Sequence, residues 1–144
     1  MSKPIVQSVV FSASAPELYD MFIDPKRHAA FTGGKVKISA RPGSAFSAFN
    51  GLLAGQTLTT IPDHLIVQRW RSTQWRNSDP DSILVLTFRT VGPTGGKKGG
   101  QEGRGRIDLV HINVPEHDHA GVTRGWKKYY WTPLKAYLTR SPRN

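Results

Sequence analysis

From residue 36 to residue 114 the chain is a succession of short β-prone runs divided by turn residues. Its longest helical pattern comes only afterwards. The runs are Val36 to Ala40, Ala45 to Asn50, Leu53 to Ile61, His64 to Arg71, Ser82 to Val91 and Arg104 to Val114. They are interrupted by Arg41-Pro42-Gly43, Gly51, Pro62-Asp63 and Asn77-Ser78-Asp79-Pro80. Such residues supply the backbone angles of tight turns, so the spacing predicts hairpins and an antiparallel meander. From Gly121 to Thr139, at ~100° per residue, Val122, Trp126, Tyr129, Tyr130 and Tyr137 share one helical face, widened by Leu134 and Leu138. Pro133 has no amide proton to give to the Tyr129 carbonyl, which predicts a kink or bulge there. A curved sheet cannot bury its concave face alone, and this helix is the element available to cover it.

The first residues complete the architecture. Ile5 to Ala13 reads as a strand, with Ile5, Val9 and Phe11 on one face. Ser14 and Glu17 form a capping box, with Pro16 in the first turn where a missing N–H costs nothing. Leu18, Met21 and Phe22 carry the helical spacing until Asp24-Pro25 breaks it. A second short helix from Pro25 to Phe31 ends at Thr32-Gly33-Gly34. The fold class is therefore α+β. A curved antiparallel sheet of six or seven strands wraps on a long C-terminal helix, with two short helices after the first strand. Residues 1–144 read as one domain, and such a fold leaves room for a cavity between helix and sheet.

Composition narrows the chemistry. The chain has no cysteine, which excludes disulfides, thiolate zinc sites and cysteine nucleophiles. No apolar run reaches the ~18 residues of a membrane span. The first residues, Met1 to Gln7, lack an apolar signal core, so a cytoplasmic location is expected. Twenty Lys and Arg face ten Asp and Glu, and the net charge of +10 favours anionic partners. The excess is local. Residues 120–144 hold six basic and no acidic side chains. Residues 92–105 form a loop of glycines and lysines, expected to be flexible. It is no Walker A loop, because Lys97 is followed by Lys98 and a strand rather than by Ser or Thr and a helix. No helix-turn-helix, RNP or zinc-finger pattern is present, so specific nucleic-acid binding is not expected.

Catalytic signals are weak. The ten acids are scattered through caps and turns, and no Ser-His-Asp set is visible. His111, His117 and His119 fall in nine residues with Glu116 and Asp118. The last two histidines alternate in a polar loop after Pro115 rather than stepping along a helix, so no metal or other cofactor is expected. His111 shares a strand face with Ile107 and Leu109. It reads either as a polar group at the cavity mouth or as a buried, hydrogen-bonded histidine. The aromatics are more telling. Candidate cavity residues are Trp70, Phe88, Leu109, His111, Trp126 and Tyr130, with Phe31 near the mouth. On a regular helical wheel Trp131 falls opposite Val122, among Arg124, Lys127, Lys128 and Lys135. An indole ringed by cations would anchor a protein interface; the alternative is that Trp131 packs inward through the bend at Pro133.

These residues also carry a resemblance. His28-Ala-Ala-Phe-Thr-Gly-Gly34, Phe46-Ser-Ala-Phe-Asn-Gly51 with Gly55, Ile66-Val-Gln-Arg-Trp-Arg71, and Gly125-Trp-Lys-Lys-Tyr-Tyr-Trp-Thr-Pro-Leu-Lys-Ala-Tyr-Leu138 resemble the AHSA-like family. That family comprises C-terminal-type domains of the activator of the 90-kilodalton heat-shock protein ATPase. It lies within the START and pollen-allergen-like (SRPBCC) helix-grip superfamily. The likeness covers nearly the whole chain. The activator's separate N-terminal domain has no counterpart in this sequence, and the 92–105 loop reads as an insertion. The resemblance implies a helix-grip fold with a sheet-to-helix cavity for a small apolar ligand and no settled enzyme chemistry. It leaves two alternatives open. One is a co-chaperone-like regulator docking on the acidic surface of a heat-shock chaperone. The other is a cyclase- or hydrolase-type enzyme using the cavity. A homodimer stays open; a membrane partner is not expected.

Overall fold

The computed structural model describes residues 2–91 and 103–140. Most of the glycine–lysine loop expected at 92–105 lies outside the described residues. Strand β1 (Ile5–Phe11) is followed by helices α1 (Ala15–Ile23) and α2 (Pro25–Thr32). Then come β2 (Ala45–Ala48), β3 (Leu53–Ile61), β4 (Leu65–Ser72), β5 (Ser82–Thr90) and β6 (Gly105–Ile112). A short 3₁₀ turn (Glu116–Asp118) leads into the C-terminal helix. That helix is built of α3 (His119–Gly125), a π-helical segment (Trp126–Trp131) and α4 (Thr132–Arg140).

The local signals act as their chemistry dictates. The Ser14 hydroxyl accepts from the Glu17 amide at the start of α1. The Asp24 carboxylate accepts from the Lys26 amide at the start of α2. Gly33 closes α2 in the left-handed region, at φ 90°, where a side chain would be strained.

All six strands form one antiparallel sheet in the order β1-β6-β5-β4-β3-β2. The α+β helix-grip architecture is the one expected, with one strand fewer than the upper count. Val36 to Ala40 is not a strand: Lys37 makes a single bridge to Ser47, beyond the edge of β2. A bulge at Leu58 lies between Thr57 and Thr59, and the Thr57 amide turns outward to the Ser44 carbonyl. At Gly55 a Cβ would stand 1.8 Å from the Arg69 carbonyl, so only glycine lets β3 approach β4 there.

The core fills the concave face. Ile66, Trp70, Leu84, Leu86, Phe88, Ile107 and Leu109 point inward from the strands and meet Trp126, Tyr130, Trp131 and Leu134 of the C-terminal helix. Leu18, Met21 and Phe22 of α1 close one end. Among the described residues no helix is long and apolar enough to cross a membrane.

Candidate functional site

The helix interior sets the site. The Thr132 amide bonds to the Lys127 carbonyl, five residues back, so an extra residue is accommodated just before Pro133. This is the bulge that the proline predicts. It also rotates everything beyond Trp126. In a π turn residues five apart stack, and Trp126 and Trp131 do so, with ring centroids 5.6 Å apart and planes 23° from parallel. Trp131 is accordingly 4 % exposed, not presented on the outer face among the cations. Its indole N–H donates to the Gln7 side-chain oxygen (2.7 Å), and Gln7 in turn donates to the Thr123 carbonyl (3.0 Å). The same rotation carries Tyr129 off the apolar face, leaving it half exposed.

His111 is not at a cavity mouth. It is fully buried, and both ring nitrogens are engaged. The Trp126 indole can only donate, so His111 Nδ1 accepts its N–H (3.1 Å). His111 Nε2–H then donates to Ser82 Oγ (2.8 Å), which donates to the Trp70 carbonyl (2.6 Å). The ring is neutral, and burial pulls its pKa down to about 3.

A second buried histidine, His28, mirrors it. Its Nδ1–H donates to the Phe22 carbonyl (2.9 Å), and its Nε2 accepts from the Tyr130 hydroxyl (2.8 Å). Burial takes its pKa to about 4 and pushes the Tyr130 hydroxyl above its ordinary range. Sequence reasoning passes over His28 as a functional group because it sits on a short helix with no patterned partner. Only its place in the His28–Gly34 motif signals it.

The remaining histidines diverge. His117 Nε2 meets Asp79 Oδ2 (2.7 Å), and His119 Nε2 meets the Lys3 carbonyl (2.8 Å). Among the described residues no three His, Cys, Asp or Glu side chains gather as a metal site.

Two depressions flank the C-terminal helix. On one side a cleft of about 430 Å³ opens between α3 and the β3–β4 end. Trp70, Leu53, Val122, Trp126, Tyr129 and Tyr130 contribute to its walls, with Asp118 at the rim. Asp118 accepts the Trp75 indole N–H (2.8 Å). Deeper between sheet and helix only about 10 Å³ remains, scarcely room for one water. Of the seven candidate cavity residues, Trp70, Trp126 and Tyr130 line the cleft. Phe31, Phe88, Leu109 and His111 do not; they pack in the core, because aromatic side chains fill the space that a deep cavity would need. The Trp70 indole nitrogen is buried and has no hydrogen-bond partner among the described residues.

On the other side a shallow groove of about 1070 Å³ runs between β1 and the helix. Gln7, Ser8 and Val9 form one bank, and Arg124, Lys127, Lys128 and Lys135 the other, with Trp131 between. These four cations are exposed, and among the described residues none of them forms an ion pair. The outer sheet face differs. Arg69 and Arg71 are paired with Asp81 and hold its carboxyl below the usual carboxylate range. Arg89 and Arg106 are paired with Asp108, whose carboxyl pKa burial would raise but the Ser8 hydroxyl, with these arginines, lowers.

Comparison with known proteins places this geometry. Residues 12–139 match the family model described as activator of Hsp90 ATPase homolog 1-like protein. An uncharacterized protein of Schizosaccharomyces pombe is 39% identical over 131 residues, covering 91% of this chain and 36% of that protein. Human activator of 90 kDa heat shock protein ATPase homolog 1 is 29% identical over 125 residues, covering 87% of this chain and 34% of its own length. The chain thus spans about a third of the length of these curated relatives. The crystal structure of an HSP90 activator from Plasmodium falciparum shares the fold with a TM-score of 0.81 at 18% identity, covering 96% of this chain and 97% of that one.

Proposed function

The chain belongs to the activator of Hsp90 ATPase homolog 1-like family, and from that premise we propose that it is a chaperone-docking module. It binds an acidic surface of an Hsp90-type chaperone through the cationic side of its C-terminal helix. The observation that carries this reading is the set Arg124, Lys127, Lys128 and Lys135. These cations lie exposed along one groove, while the arginines of the outer sheet face are paired with Asp81 or Asp108. Unpaired charge on a rigid helix steers an oppositely charged partner and gives a salt-dependent association rate. A binding role also agrees with the state of the two buried histidines, whose four ring nitrogens are all occupied by protein partners.

The test is a calorimetric titration of a purified Hsp90-type chaperone with this protein at low and high salt. Saturable binding that weakens with salt and with Lys127→Glu/Lys128→Glu is the expected result. Binding indifferent to both would sink the reading.

A second reading rests on the cleft. Its predominantly apolar walls suit a small apolar ligand. Native mass spectrometry of freshly purified protein reports it as a stoichiometric added mass. An apo spectrum, together with no shift in melting temperature on adding fatty or aromatic acids, would remove it.

A further inference from the structure

The backbone of β1 faces the cationic groove in a way that specifies what the groove takes. The Val91 amide donates to the Arg104 carbonyl (2.7 Å), so the even-numbered residues of β6 turn their backbone groups toward β5. By alternation its odd-numbered residues serve β1, through Ile5↔His111, Gln7↔Leu109, Val9↔Ile107 and Phe11↔Gly105. The N–H and C=O groups of Val6, Ser8 and Val10 therefore point away from the sheet. They have no protein hydrogen-bond partner among the described residues.

β1 lacks the usual protections of an edge strand. Its sequence, Ile-Val-Gln-Ser-Val-Val-Phe, has no charge and no proline, and its register shows no bulge. At ~3.4 Å per residue it offers roughly 24 Å of regular edge. The charges that would normally guard such an edge come instead from the neighbouring helix, and all are positive.

We infer that the groove binds an extended acidic peptide segment, which adds as a seventh strand to the outer edge of β1 while its carboxylates meet Arg124, Lys127, Lys128 and Lys135. Backbone pairing supplies register, and the cations supply the preference for acidic side chains. Charge argues against a second copy as occupant, because it would bring the same cations and a net charge of +10 to the same place. It is also a poor nucleic-acid site. The groove's aromatic, Trp131, is 4 % exposed with its indole N–H bound to Gln7, so no face is offered for base stacking. The inference rests on the proposed docking role and names the form of the docked segment.

Fluorescence anisotropy with a short labelled peptide of alternating Glu and Val tests it, using the full chain. Ser8→Pro removes one outward N–H and leaves the β6 ladder intact, while Ser8→Ala controls for the hydroxyl that bonds Asp108. Expected are saturable binding, about tenfold weakening by Ser8→Pro with none by Ser8→Ala, and a similar loss when alternate amides on one edge of the peptide are N-methylated. Circular dichroism confirms that each variant is folded; if Ser8→Pro is not, the N-methylated peptides against wild-type protein decide alone. Three results would overturn the inference. One is binding unaffected by the backbone changes, another is tighter binding of a single-stranded oligonucleotide at equal salt, and the third is dimerisation abolished by Ser8→Pro. Chaperone binding that ignores Ser8→Pro refutes the inference and leaves the docking role standing. Edge-dependent peptide binding without chaperone binding does the reverse.

Discussion

The two flanks of the C-terminal helix are separated by the width of one helix and obey opposite rules. On the cleft side Trp126 and Tyr130 are joined to the sheet and to α2 through His111 and His28, with every histidine nitrogen satisfied. On the groove side the cations are exposed, with Lys135 over the Phe11 ring and Lys128 over that of Tyr129, and among the described residues they form no ion pair. The π segment creates the contrast. It turns Trp126, Tyr130 and Trp131 all inward, although no regular helix would align them, and leaves Lys127 and Lys128 outside. One flank therefore carries stability, and the other is free to carry recognition.

The sharpest way to break that division is Trp126→Ala. It removes a buried indole stacked near Trp131 and Tyr130 and leaves His111 Nδ1 without its donor. Truncating a buried Trp costs about 3–5 kcal/mol, and an orphaned buried acceptor adds to it. Urea unfolding is expected to show a loss of about 5 kcal/mol, or no folded state. A loss under about 1 kcal/mol would mean that the cleft side is not the structural flank.

Acid probes the same flank less severely. His28 and His111 have folded pKa values near 4 and 3, against 6.5 for the free side chain. Below pH 6.5 the unfolded chain takes up protons that the folded chain refuses. Stability is therefore full above that pH and falls as pH drops toward the folded values. At about 1.4 kcal/mol per unit for each histidine, the two together cost roughly 4 kcal/mol by pH 5. Asp81 and Asp108, whose pKa values are lowered by hydrogen bonds and nearby arginines, add a loss only below the ordinary carboxylate range. Urea midpoints at pH 7, 6 and 5 should fall steadily in the wild type and more shallowly in His28→Gln. A flat profile above pH 5 would show that neither ring is held neutral by burial.

Much of the sheet was legible because turn residues and alternation report local backbone preference. Ser14, Asp24 and Gly33 mark helix ends by chemistry that acts within one turn. Val36 to Ala40 is not a strand: alternating Val36 and Ile38 say nothing about whether a partner strand lies beside them, and Lys37 makes one bridge. The helix interior was half legible. Pro133 forecasts a bulge and, as one of two open readings, the inward packing of Trp131 that the structure shows; a regular wheel carried past it puts Trp131 outside and Tyr129 inside, the reverse of what the π turn does. The candidate cavity residues divide for another reason. Trp70, Trp126 and Tyr130 border open space, whereas Phe31, Phe88, Leu109 and His111 share their inward direction but pack without a gap. Pattern reports which way a side chain points, and not whether space is left in front of it.

The smallest expected effect is the most discriminating. Lys127→Ala/Lys128→Ala removes two exposed cations from the groove, where Lys128 has only a ring contact to Tyr129 (5.3 Å) and Lys127 no ion pair among the described residues. Surface substitutions of this kind change stability by no more than about 0.5 kcal/mol, and alanine is the better helix former. Relief of repulsion with Arg124 acts in the same direction. The double variant should match the wild type in urea midpoint, at pH 7 and at pH 5 alike, because neither lysine touches His28 or His111. If it binds an acidic partner more weakly at unchanged stability, recognition and folding are carried by opposite flanks of one helix. If it unfolds more readily instead, the cations belong to the structural side after all, and the contrast between the flanks collapses.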